Sequence, residues 1–128
     1  MRVGSAVIAL LAACSPEAKR PPVPLSPFTN IVRQLFAAME KGDSGAARAM
    51  VDDSAALASA DFLATTRPDL IKEAAQSLAP VMPYRLTADS AYLMYRVANR
   101  RRARDLVLVL FVRRRATWRV LHVAQELY

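Results

Sequence analysis

"LVLVLFV", residues 106–112, decides how this chain folds. Seven apolar residues in a row, three of them Val and one Phe, are too few for a buried helix and fit a strand. A strand with one face in water alternates apolar and polar side chains. Here Leu106, Leu108, Leu110 and Val112 point one way, Val107, Val109 and Phe111 the other, and both sets are apolar. Two explanations stay open. Either the sheet curls strongly and its strand centres cover themselves, or one face is an interface with a second copy or a partner protein. The interface is the favoured reading, with Val107, Val109, Phe111 and Met94 of the neighbouring strand as its candidate residues.

On either side of this strand the period stays near two. "RRRAT" (113–117) makes a tight connection into "WRVLHVA" (118–124), while "YRLTA" (84–88) and "AYLMYRVA" (91–98) flank a turn at Asp89-Ser90. The result is a four-stranded antiparallel meander of about 40 residues. Strict alternation puts Trp118, Val120 and His122 on one face of the last strand and Arg119, Leu121 and Val123 on the other.

The half before Pro80 reads as three helices. Ser26-Pro27 supplies a capping hydroxyl and a first-turn proline, and Phe28, Ile31, Val32, Leu35, Phe36 and Met39 recur at helical spacing. Gly42 closes that helix and Asp43 caps a short one over about 44–51. "DDSAALASADFLATT" (52–66) reads as a looser stretch. Thr66-Arg67-Pro68-Asp69 then opens a third helix, which runs to about Ala79 and is stopped by Pro80 and Pro83. The fold class is α+β: three N-terminal helices packed on a curved four-stranded antiparallel sheet.

Before this domain lies a segment of another kind. Arg2 gives a basic start and residues 3–13 are almost wholly apolar, far short of the roughly twenty residues that cross a bilayer. Such a segment fits the apolar middle of a secretory signal. "SPEAKRPPVPLSP" (15–27) follows, with five Pro in thirteen residues, and reads as an extended tether. Leu11-Ala12-Ala13-Cys14 looks like a bacterial lipobox. That resemblance implies a signal peptide over 1–13, cleavage before Cys14, acylation of its thiol and a lipid-anchored stretch over 14–26. It also implies residence in the bacterial cell envelope, with Ser15 after the cysteine favouring the periplasmic face of the outer membrane. Cys14 is the only cysteine, so no intramolecular disulfide forms and the fold stands on packing.

"SPFTNIVRQLFAAMEKGDSGAARAMV", "TRPDLIKEAAQSLAP", "YRLTADSAYLMYRVA" and "RDLVLVLFVRRRATWRVLHV" together resemble small bacterial lipoproteins with a nuclear transport factor 2-like (cystatin-like) domain. The resemblance spans residues 27–124 and rests on Lys41-Gly42-Asp43 at a helix junction, the turn before Ala91, and Trp118 in the last strand. It implies a cone of helices and curved sheet over 27–128. Its relatives include ketosteroid isomerase-type enzymes, which place a carboxylate base and a tyrosine donor inside that cone. Asp61 as base, and Tyr84, Tyr92, Tyr95, Trp118 and His122 as pocket residues, would be their counterparts, serving a small-ligand carrier or an isomerase or dehydratase. Nothing in their spacing singles them out, and a lone His in a strand is ordinarily a packed one.

No nucleophile elbow, phosphate loop, dinucleotide fingerprint or metal-ligand spacing occurs. One Cys and one His cannot build a zinc site, so no cofactor or metal is expected. Charge is lopsided: residues 85–128 hold ten Arg, no Lys and three acidic residues. Arg100, Arg101, Arg102 and Arg104 cluster between the second and third strands, and Arg113, Arg114 and Arg115 between the third and fourth. Successive hairpins fall at opposite ends of a sheet, so these form two patches. Nucleic acid would favour one continuous basic track with interleaved aromatics. An envelope lipoprotein rarely meets DNA, so anionic lipid head groups, lipopolysaccharide phosphates or an acidic partner are the better counterparts, with two merely solvated turns as the plain alternative. The function expected is a non-enzymatic binding or assembly module, held to the membrane through acylated Cys14.

Overall fold

The computed structural model describes residues 24–125, without the side chains of 82–84. Cys14, the segment 1–13 and most of 14–26 lie outside the described residues. Helices α1 (Ser26–Lys41), α2 (Ser44–Met50), α3 (Ser54–Thr66) and α4 (Pro68–Gln76) precede strands β1 (Leu78–Leu86), β2 (Ser90–Val97), β3 (Leu106–Arg114) and β4 (Thr117–Gln125). The strands form an antiparallel meander in the order β1-β2-β3-β4, so the α+β class and the sheet stand.

The helix count does not. Residues 54–66, read above as a looser stretch, are helix α3. Asp53 accepts a hydrogen bond from the Ala56 amide at 2.9 Å, and Ala56, Ala60 and Leu63 form the buried stripe. Alanine at three of its first five positions supplies helix propensity without the large apolar residues that make a stripe conspicuous. Two expected caps also shift. Leu25, not Ser26, occupies the position before α1 and makes no side-chain cap. Thr66 ends α3 with its hydroxyl on the Phe62 carbonyl at 2.8 Å, so α4 starts uncapped after Arg67. Gly42, at φ 75°, and Asp43, accepting from Ala46 at 3.1 Å, act as anticipated.

Helix α4 stops at Gln76, and β1 absorbs the two prolines meant to follow it. Both are tolerated because β1 is an edge strand, and the pairing is irregular between Val81 and Arg85. The opposite edge is shielded too. Val51 makes an isolated parallel bridge with Val120, and the Asp52 amide donates to the Val120 carbonyl at 2.8 Å.

All helix–sheet packing falls on one face. There α1 and α4 lean on each other, α3 lies along β4, and Phe36, Leu35, Leu70 and Ile71 meet Leu93, Tyr95, Val109 and Phe111 in one core. Phe28 stands edge-on to both Phe111 (5.0 Å) and Trp118 (4.9 Å), closing that core near the start of α1.

Candidate functional site

The register defines the face that the helices leave uncovered. Tyr92 opposes Leu110, Met94 opposes Leu108, and Arg96 opposes Leu106 across β2 and β3; Leu108 and Leu110 in turn oppose Ala124 and His122 of β4. Directly opposed residues of antiparallel strands share a face. Leu110 is 36% exposed, and Tyr92, Met94, Leu106, Leu108 and Val112 are half-buried. Arg85, Arg96 and Arg119 belong to the same face at its margins, Arg119 donating to the Ala49 carbonyl at 2.8 Å, and the described strands contain no Asp or Glu. An apolar strip rimmed by cations is a docking surface in chemical terms.

This face is not built from the residues first proposed for it. Val107, Val109 and Phe111 are at most 1% exposed, because the helices cover the side of β3 on which they stand. Met94 alone of that set is on the outside, where Leu108 and Leu110 replace the other three.

The five candidate pocket residues also separate. Tyr95 is in the core and Trp118 at its edge, whereas Tyr92 and His122 are on the outer face; the side chain of Tyr84 lies outside the described residues. His122 parts from Trp118 because of a bulge. Phe111 opposes Val120 while Leu110 opposes His122, so Leu121 is an extra residue that reverses the alternation. Val123 thereby turns inward and His122 outward. Asp61 lines a small cleft with Met39, Asp43 and Leu57, and no tyrosine lines it.

The Tyr95 hydroxyl has no hydrogen-bond partner among the described residues. Burial pushes its pKa up to about 12, an effect that the nearby Thr29 hydroxyl offsets only in part. Two larger clefts flank the domain, and Tyr95 lines neither. One, of about 410 Å³, lies between α3 and β4 and is lined by Ser59, Phe62, Leu63, His122 and Val123. Phe62 is 70% exposed there, and nothing singles it out while 52–66 reads as a looser stretch. Once those residues are helical, Phe62 falls off the stripe of Ala56, Ala60 and Leu63. The other cleft, of about 530 Å³, lies where the chain enters α1, between Pro24, Pro27 and Phe28 on one side and Leu86, Ala88 and Trp118 on the other.

The arginine clusters do sit at opposite ends of the sheet, but each loses a member to an ion pair. Arg100 reaches Glu73 (3.1 Å), Asp69 (3.1 Å) and Asp105 (3.5 Å), while Arg67 holds Asp105 at 2.8 Å and Asp69 at 3.2 Å. This cluster clamps the start of α4 to the β2–β3 connection. The Arg67 guanidinium lowers the Asp69 carboxyl to about 2, and Arg100 holds Glu73 below its usual range. Arg114 grips Asp52 with two bonds, at 2.9 and 3.1 Å. Arg101, Arg102, Arg104, Arg113 and Arg115 remain exposed, with no ion pair among the described residues.

No three His, Cys, Asp or Glu side chains among the described residues are grouped to hold a metal, and no described helix is long and apolar enough to cross a membrane. In comparisons with known proteins, no family model, no curated protein and no solved structure matches the chain.

Proposed function

We propose that this protein is a lipid-anchored bacterial envelope lipoprotein whose nuclear transport factor 2-like domain is a non-enzymatic binding or assembly module. The observation that carries the binding role is the uncovered strip of Tyr92, Met94, Leu108 and Leu110, with Arg85, Arg96 and Arg119 at its margins. Apolar surface left in water gains free energy when a partner covers it. The anchor rests on Leu11-Ala12-Ala13-Cys14 and the proline-rich stretch after it. A cavity-based carrier or enzyme has less behind it, since the inner face of the sheet is filled by Leu93, Tyr95, Val109 and Phe111.

Photo-crosslinking in intact cells tests the binding role. A benzoylphenylalanine placed at Leu110 is expected to yield a crosslinked product with a second copy or another envelope protein. The same probe at Glu40, exposed on α1, is expected to yield none. Recovery of uncrosslinked monomer alone from the Leu110 variant rejects the role. Fatty-acid labelling that vanishes in Cys14→Ser, together with membrane association, supports the anchor; an unlabelled soluble chain rejects it.

A further inference from the structure

We infer that the end of the sheet bearing Arg113 and Arg115 faces an anionic lipid bilayer, which leaves the Arg101–Arg104 end directed away from it. The inference rests on the lipid-anchor reading and adds an orientation to it. Its first support is where the chain enters the domain. Pro24 and Pro27 share a cleft with Leu86, Thr87, Ala88 and Trp118, which places the entry point beside the β1–β2 turn and the start of β4. Arg113 opposes Trp118 in the ladder, and its amide donates to the Asp89 carbonyl at 2.9 Å. Entry point, both turns and these arginines therefore occupy one end of the sheet.

Reach is the second support. The ten residues 14–23 span at most about 35 Å when fully extended, and a nine-residue strand alone is about 30 Å long. For Arg101, Arg102 and Arg104 to meet the membrane end-on in place of the entry end, the domain would have to invert and draw those ten residues nearly straight. At the entry end no such stretching is needed. Attraction between arginines and anionic head groups fades within a Debye length of about 8–10 Å, so proximity decides which cluster acts.

The turn itself supplies the third. Arg114 pairs with Thr117, and the two residues between them, Arg115 (φ 51°) and Ala116 (φ 68°), are both left-handed. Asn-Gly is the pair such a turn favours. An arginine held there accepts backbone strain in return for a charge at the tip of the hairpin. Against this charge stand Asp89, Asp52, which Arg114 already holds, and Asp53, which caps α3.

Trp118 is the only tryptophan and lies at this end, so the native chain carries its own probe. The lipidated full-length protein would be reconstituted into vesicles of phosphatidylcholine alone or with phosphatidylglycerol. Each would contain the same fraction of headgroup spin-labelled phosphatidylcholine as quencher. Quenching of Trp118 is expected to be roughly twofold stronger in the anionic vesicles, and the difference is expected to vanish in about 0.5 M salt. Arg113→Gln with Arg115→Asn should remove the difference while keeping the fold, because Asn suits the left-handed position. Arg101→Gln with Arg102→Gln should leave it intact. Equal quenching in both lipids, or loss of the difference in the Arg101/Arg102 variant instead, overturns the inference. If Cys14 carries no lipid the anchor reading fails and the orientation falls with it; a lipidated chain with lipid-independent quenching sinks the orientation alone.

Discussion

Tyr95 and Ala116 each hold something that costs stability. A buried hydroxyl without a partner costs about 1–3 kcal/mol, and among the described residues Tyr95 has none in hydrogen-bond geometry, the Thr29 hydroxyl lying only nearby. Tyr95→Phe is therefore expected to raise stability by about 1 kcal/mol in urea denaturation; a loss of that size would reveal a partner. The same residue shapes the alkaline limb. Its pKa in the fold is about 12, against about 10 in an unfolded chain, so the folded protein keeps a proton that the unfolded chain releases. Stability should fall as pH rises through that interval, and Tyr95→Phe should flatten this part of the curve. At Ala116, φ is 68°. Ala116→Gly relieves strain by more than it adds chain entropy, so about 0.5–1 kcal/mol of stabilisation is expected in thermal unfolding.

Among the elements, β3 shows why an alternating pattern of equally apolar faces needs a third dimension. Its two sets are nearly indistinguishable in sequence, yet one is buried on the helix side of the sheet and the other borders solvent. Val109→Asp would bury an unpaired carboxylate and is expected to abolish the cooperative thermal transition. Leu108→Asp, one residue away on the open face, should leave a folded protein with a transition displaced by a few degrees at most. Equal damage from both would mean that the two faces are equally covered. β4 carries the complementary lesson. One inserted residue, Leu121, turns His122 from a presumed neighbour of Trp118 into a surface residue, and the sequence around it contains no glycine to announce a bulge.

Across the whole molecule, charge is sorted by side. The described strands contain no Asp or Glu, while the carboxylates of α4 and Asp105 engage Arg67 and Arg100 in one cluster. Asp105 is the one buried charged residue described, and Arg67→Gln removes its shortest ion pair. A loss of about 2–3 kcal/mol is expected in chemical denaturation, below the full value for a buried pair because Arg100 still lies beside it. Asp69 and Glu73 have folded pKa values below their unfolded ones. Their contribution is thus complete above about pH 5 and fades as pH falls towards about 2. Asp69 is half exposed, which screens its share to about 1 kcal/mol or less. Denaturation curves at pH 6 and pH 3 should differ less in Arg67→Gln than in the parent chain.

The order of elements was legible in sequence because it depends on local signals. Gly42 and Asp43 punctuate the first helices, Asp89-Ser90 marks a turn, and runs such as residues 106–112 can only be strands. Helix α3 was written there as well, in Asp53, Ala56, Ala60 and Leu63, but small side chains make a faint stripe. What only the tertiary structure decided is facing and pairing. Which side of β3 meets the helices, where the β4 bulge falls, and which arginines are neutralised by carboxylates 27 to 62 residues away all depend on contacts between distant segments. Periodicity specifies that a strand has two faces; only the packing of the other elements against it chooses the one that stays open.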